Sequence, residues 1–229
     1  MFCFKKKLIL LIVFLGFTSQ LISKTNLQLH YDFGNDRKHL TSTLEMFEPD
    51  DWGNTFFFVD FDYNYGPEKN TSTAYMELAR CFSLKESAWS LHLELNAGLS
   101  SLAPLAIPLS NCYLAGLDRA WFWEKNNTAL NIKALYKYIA GKQHSAQLTA
   151  VWEMHFLEQK LSFTGFADYW LEHTNFSGND RYTSFMSEPQ LWWNFNEHFS
   201  LGGEVELALH YGGREGFVAR PTLGLKWIF

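Results

Sequence analysis

From Trp89 to Leu99 the chain alternates without a break. Trp89, Leu91, Leu93, Leu95, Ala97 and Leu99 share one side; Ser90, His92, Glu94, Asn96 and Gly98 share the other. A helix needs apolar spacing of three and four, so only a strand gives this segment a single apolar face. The pattern recurs at 146–156, 199–211 and, up to the final residue, at 223–229. It predicts about twelve strands: 27–33, 38–47, 55–64, 73–84, 88–99, 111–123, 128–138, 146–157, 160–171, 183–195, 199–211 and 217–229. Most are much longer than the ~5–6 residues of an ordinary strand. They match the ~9–11 residues that a tilted strand needs to cross a bilayer.

A set of long strands with one apolar face fits two architectures. A soluble barrel turns that face inward; a membrane barrel turns it to lipid and keeps the polar face for its lumen. The strand number is even, and the connections alternate in length. "KESA", "EKNN", "LEQK" and "FNEH" are short. "YGPEKNTS", "SSLAPLAIPLS", "AGKQHS" and "EHTNFSGNDR" are longer, while "EPDDWGN" reads as a long turn on the short side. That asymmetry belongs to outer-membrane barrels. Aromatics make up 17% of the chain and recur near strand ends: Trp52, Tyr63, Tyr65, Trp89, Trp121, Trp123, Tyr136, Tyr138, Trp170, Trp192, Trp193 and Trp227. Interfacial girdles place rings there.

The expected fold is therefore all-β: a single closed antiparallel transmembrane β-barrel of about 12 strands over residues 24–229. A cleaved signal peptide over 1–23 precedes it. Lys5, Lys6 and Lys7 lead an apolar core of about ten residues, too short for a spanning helix of ~20. The expected location is the outer membrane of a Gram-negative bacterium, in contact with its lipid. The last strand closes the barrel against the first, and its terminal Phe229 is the feature expected to be recognised by the outer-membrane assembly machinery. Cys81 and Cys112 are too few for a disulfide framework, and the sequence leaves their pairing open. A net charge of −5 offers no basic surface for a nucleic acid.

With the apolar face outward, the lumen receives Gln28, His30, Asp32, Glu45, Asp60, Asp62, Tyr75, Glu77, His92, Glu94, Asn96, Glu153, His155, Asp168, Glu188, Gln190, Asn194, Glu204, Glu206 and His210. Lys133, Lys137, Arg220 and Lys226 form a smaller cationic sector. Some inward positions are aromatic. Phe56 and Phe58 share a face with Asp60 and Asp62, and Phe166 and Trp170 share one with Asp168. Rings beside hydrogen-bond acceptors suit a flat, polar, uncharged solute such as a sugar or a nucleoside. The same residues also fit a wall braced by ion pairs and filled by rings.

Three patches resemble the Tsx-like nucleoside-specific channel-forming outer-membrane proteins. "LTSTLEMFEPDDWGNTFFFVDFDYN" carries Phe47, Asp50, Trp52, Gly53, Phe57, Asp60 and Asp62. "AYMELARCFSL" carries Met76, Glu77, Phe82 and Ser83; "FTGFADYW" carries Gly165, Phe166, Asp168 and Trp170. The resemblance implies a monomeric twelve-stranded channel that binds nucleosides weakly at several lumen positions. The candidate binding residues are Phe56, Phe58, Asp60, Asp62, Tyr75, Glu77, Glu94, Phe166, Asp168, Trp170 and Glu188. The chain is shorter than that family's members, with trimmed outer loops. No Gly-x-Ser-x-Gly elbow occurs, and the carboxylates and histidines show no metal-ligand spacing along the chain. No catalytic residue, metal or cofactor is expected. The alternative is a barrel with a structural or adhesive role and no transport.

Overall fold

The structure is a computed structural model that describes residues 24–63, 70–85, 87–102, 105–124, 127–142, 144–172, 182–212 and 214–229. Its strands are β1 (Lys24–Asp32), β2 (Leu40–Asp50), β3 (Gly53–Tyr63), β4 (Thr71–Ser83), β5 (Trp89–Leu102), β6 (Leu105–Trp123) and β7 (Thr128–Ile139). They continue with β8 (His144–Phe156), β9 (Leu161–Glu172), β10 (Tyr182–Ser187), β11 (Gln190–Asn194), β12 (Phe199–Leu209) and β13 (Phe217–Ile228). Each pairs antiparallel with its neighbours, and β10 and β11 both lie between β9 and β12. They are two halves of one stave, so the wall has twelve staves. β13 pairs β1 from Asn26↔Ile228 to Asp32↔Thr222, which closes the barrel. The Phe229 amide extends the seam by donating to the Thr25 carbonyl at 3.0 Å.

Every predicted strand has its counterpart, with local shifts. The turn expected in "EPDDWGN" shortens to Asp51–Trp52, because β2 runs on to Asp50 and β3 starts at Gly53. Much of the segment "SSLAPLAIPLS" is strand, since β5 and β6 pair as far as Leu102↔Leu105. The expected strand 183–195 is interrupted at Glu188–Pro189. Proline cannot donate to a ladder, and the barrel wall is sealed there by two single bonds. Glu188 N–H donates to the Phe166 carbonyl at 3.1 Å, and Val205 N–H donates to the Pro189 carbonyl at 3.1 Å. The connections at 64–69, which carry Tyr65, and at 173–181 lie outside the described residues.

Burial decides which way the apolar face points. On β1, Leu27 and Leu29 are 45% and 44% exposed, while Gln28 and His30 between them are each 1% exposed. The same inversion holds at Leu91 and Leu93 against a fully buried His92. A water-soluble barrel would show the reverse. Here the apolar stripe faces outward and takes lipid as its solvent, and the polar side chains pair with one another inside.

Tryptophan and tyrosine divide the outer wall between them. Trp89, Trp121, Trp123, Trp193 and Trp227 stand on the outer face toward the short-turn end; Tyr31, Tyr113, Tyr136 and Tyr169 stand toward the other. Arg119 lies 5.1 Å from the ring centroids of both Trp89 and Trp121, and Arg80 pairs with Asp50 at 2.6 Å. Charges on the outer wall thus gather with the rings, where headgroups and water can reach them. Two of the strand-end tryptophans turn inward, Trp170 as its shared face with Asp168 requires. Trp170 and Trp192 are 5% and 1% exposed and point into the lumen.

Candidate functional site: the barrel lumen

Strand parity carries each candidate side chain inward, and register brings several together. Phe56, Phe58, Asp60 and Asp62 alternate along β3. Asp60 stands opposite Thr43 on β2 and Tyr75 on β4, and Phe58 stands opposite Glu45 and Glu77. Thr43 Oγ1 donates to Asp60 at 2.5 Å, and Thr41 Oγ1 donates to Asp62 at 2.7 Å. Tyr75 O–H donates to Glu77 at 2.7 Å, and Asn96 Nδ2 reaches the same oxygen at 3.1 Å. The ring centroids of Phe56 and Phe58, and of Phe58 and Tyr75, are 6.0 Å apart. The result is one surface on β2–β5 in which rings flank half-buried carboxylates. Each of these carboxylates keeps lone pairs beyond the bonds it already accepts.

A second surface stands on β8 and β9. Phe166, Asp168 and Trp170 alternate inward there, opposite Val151, Thr149 and Gln147. Thr149 Oγ1 donates to Asp168 at 2.5 Å, Gln147 donates to Thr149 at 3.0 Å, and Lys137 donates to Gln147 at 2.6 Å. Lys137 Nζ sits 4.0 Å from the Trp170 ring centroid, and Tyr211 meets that ring edge-on at 5.8 Å. The two surfaces feel one another: Glu77, Glu94 and Asp168 interact electrostatically, with Lys133 acting on all three.

Glu188 stands at the break in the tenth stave, beside the second surface, where its N–H donates to the Phe166 carbonyl. Its neighbours are Glu204, Glu206, Asp60 and Arg37. Gln190 links Glu204 at 2.9 Å to the indole N–H of Trp192, also at 2.9 Å. Lys226 lies 4.0 Å over the Trp192 ring, and His30 meets it edge-on at 5.6 Å. A hydrogen-bond chain then runs from His30 through Gln28 and Asn26 to Glu45. The eleven candidates therefore fall into two ring-and-acid surfaces and one acidic step.

Several lining residues escape sequence reasoning. The connection after β1 folds inward: Arg37 donates to Asp32 at 3.2 Å and to Glu206 at 2.5 Å. Arg220 holds Asp36 and Glu206, and Arg214 holds Asp36 at 2.7 Å. Periodicity says nothing about a loop, so Asp36 and Arg37 carry no inward mark. Lys24 reaches Glu153 at the turn-side mouth. Trp192 could have been found, since it shares parity with Gln190 and Asn194 and not with its neighbour Trp193. Cys81 and Cys112 are both buried and not bridged; β5 separates their strands.

Lumen carboxylates outnumber lumen cations even with these additions. Asp32, Glu45, Asp60, Asp62, Glu77, Glu94, Asp118, Glu153, Asp168, Glu188, Glu204 and Glu206 face Lys24, Arg37, Lys133, Lys137, Arg220 and Lys226. Low-dielectric walls concentrate the field of such a lining along the pore axis.

A family model described as "Domain of unknown function (DUF5020)" matches residues 24–229. The chain belongs to that family. No curated protein matches its sequence. Among solved structures, this DUF5020 barrel is similar to the NanC porin, at 13% identity and TM-score 0.58, over 89% of this chain and 98% of that one. The KdgM porin matches at 11% identity and TM-score 0.54, over 91% and 99% of the two chains. The COG4313 outer membrane channel from Pseudomonas putida F1 matches at 10% identity and TM-score 0.53, over 90% and 95%. At these identities the likeness is one of fold. This chain shares with those structures a closed twelve-stave barrel, with its apolar stripe outermost.

Proposed function

We propose that this barrel is an outer-membrane channel for small polar solutes that are neutral or cationic, with nucleosides the first class to test. The observation that carries the reading is the pairing of rings with hydrogen-bond acceptors at Phe58, Tyr75, Asp60 and Glu77. A flat solute stacks on the rings while the carboxylates accept from its hydroxyl or amine groups. Of the residues that carry the Tsx-like resemblance, Asp60, Asp62, Glu77, Phe166, Asp168 and Trp170 lie on these two surfaces, whereas Phe57, Met76 and Phe82 face outward; the inward set favours nucleosides over other flat solutes. The excess of carboxylates disfavours anions. The KdgM porin has been solved with oligogalacturonate; a polyanion of that kind would meet repulsion from Asp60, Glu77, Asp168 and Glu188. The barrel works as a monomer, reaches the membrane through the assembly machinery that recognises its last strand, and needs no cofactor.

Single-channel recording in a planar bilayer tests this. The expected result is an open current with cations more permeant than anions, blocked saturably by adenosine or thymidine. A cation-selective current that nucleosides do not touch keeps the channel and removes the solute. Absence of current from a correctly folded barrel overturns the proposal in favour of a structural or adhesive role.

A further inference from the structure

We propose that Cys81, His92 and Asp118 form a binding site for one transition-metal ion of the zinc type, built into the lumen wall toward the turn end of β4, β5 and β6. Register places the three side chains together: Cys81 pairs with His92, and Asp118 stands one lumen-facing step away, opposite Ser90. One sulfur, one nitrogen and one oxygen donor lie within 4.8 Å of one another. Cys81 Sγ is 3.2 Å from His92 Nδ1 and 3.5 Å from Asp118 Oδ2. Donors around tetrahedral zinc are separated by roughly 3.5 Å, given bonds of about 2.3 Å to sulfur and about 2.0 Å to nitrogen or oxygen. The three residues are 4%, 0% and 3% exposed.

Two features point to a metal rather than to a closed hydrogen-bond triad. His92 Nε2 is held by Glu94 at 2.7 Å, which makes that nitrogen the N–H and leaves the Nδ1 lone pair facing the sulfur. This is the carboxylate–histidine support that orients a metal-bound imidazole. Asn131 Nδ2 likewise braces the Asp118 carboxylate, at 3.2 and 3.3 Å from its two oxygens. The thiol then carries a single proton between two acceptors, Nδ1 and Oδ2, and whenever it goes to Asp118, which Asn131 already serves, the buried Nδ1 lone pair is left facing sulfur without a donor. A divalent ion resolves this. Cys81 gives its proton to water and binds as thiolate, His92 binds neutral through Nδ1, and Asp118 binds as carboxylate. The fourth position remains for water. A 2+ ion with one thiolate and one carboxylate is a neutral unit, and that suits a wall where Lys133 already stands near Cys81 and Glu94. The donors come from three strands, so no local spacing in the chain announces them.

The test uses the folded barrel in detergent, with Cys112→Ser as the background, so that Cys81 is its only thiol beyond the predicted signal peptide. Zn2+ is expected to bind at one equivalent per barrel with release of one proton. Co2+ is expected to give a thiolate-to-metal absorption band that disappears in Cys81→Ser. Glu94→Gln should keep the band and weaken the metal roughly 10–100-fold, the effect of losing the group behind a ligand. If Cys81→Ser does not fold, maleimide labelling replaces it: Zn2+ should slow alkylation of Cys81 relative to EDTA. Folded barrel that takes up no equimolar metal, a band that survives Cys81→Ser, or equal alkylation rates would each overturn the site. None of these readouts depends on solute transport.

Discussion

Lys24 opens β1 and Glu153 stands near the end of β8, on opposite walls of the barrel, yet their side chains meet at 2.6 Å. Glu153 is also held by His155 at 2.9 Å. The pair reaches across the turn-side mouth and narrows it. Both partners are more than a third exposed, at 49% and 41%. Their contribution to stability is therefore only about 0–1 kcal/mol. Lys24→Ala should raise single-channel conductance while moving the urea midpoint very little. An unchanged conductance would show that the mouth is not limiting.

The opposite end is held by a denser set of charges. Arg37 bridges Asp32 and Glu206, whose side chains are 3% and 6% exposed. Removing the guanidinium leaves buried carboxylates short of a partner, although Glu206 retains Arg220. Arg37→Ala should destabilise the barrel by about 1–3 kcal/mol, read as a shift in urea midpoint at constant slope. It should also free the connection 33–39, seen as faster amide exchange there.

The same latch should respond to acid. The Arg220 guanidinium bonded to Asp36 lowers that carboxyl from its ordinary 3.8 to about 2. A depressed folded-state value means that the stabilisation is fully present above about pH 3.8. It fades as the pH falls through about 2. Current noise from loop motion should therefore grow over that interval. In Asp36→Asn the noise should be present already at pH 5, and its acid rise should be smaller than in the parent. Identical acid responses of parent and variant would place the switch on another carboxylate.

Phe58→Ala and Asp60→Asn separate binding from architecture. Lumen substitutions leave the lipid-facing stripe intact, so both variants should insert and close normally. Losing the Phe58 ring should weaken nucleoside block by roughly twofold to tenfold, the equivalent of ~0.5–1.5 kcal/mol of ring contact. Asp60→Asn should lower the cation-to-anion permeability ratio. If neither variant assembles, these residues are structural and the solute-binding surface lies elsewhere in the lumen.

Gly165 on β9 lies beneath the Glu188–Pro189 break. Its φ is +148°, and a Cβ there would stand 2.5 Å from the Glu188 carbonyl oxygen and 2.9 Å from the Trp152 ring. Neither the backbone nor the packed ring can yield cheaply. Gly165→Ala should cost about 1–3 kcal/mol, and Gly165→Val should abolish the heat-modifiable folded band on gels. Gly141, where a Cβ meets nothing within 4 Å, offers a contrast in which only its φ of +81° opposes substitution.

The wall of this protein is legible in the chain alone. Period-2 alternation fixes which side chains share a face, and strand length fixes that the face spans a bilayer. Leu27, Leu91 and Leu225 outside and His30, Glu94 and Lys226 inside are therefore legible before any coordinates. So are Phe58, Asp60 and Asp168, because parity alone sends them inward. Tertiary structure decided what meets across the lumen. Lys24 with Glu153, Arg37 with Glu206, and Cys81 with His92 and Asp118 depend on closure and on the register of each pair of strands. The loop after β1 turned inward because Arg220 and Glu206 offered its charges partners that no local pattern encodes. Alternation is a property of one strand, whereas a site is a property of several, and only the closed barrel brings them within a few ångströms.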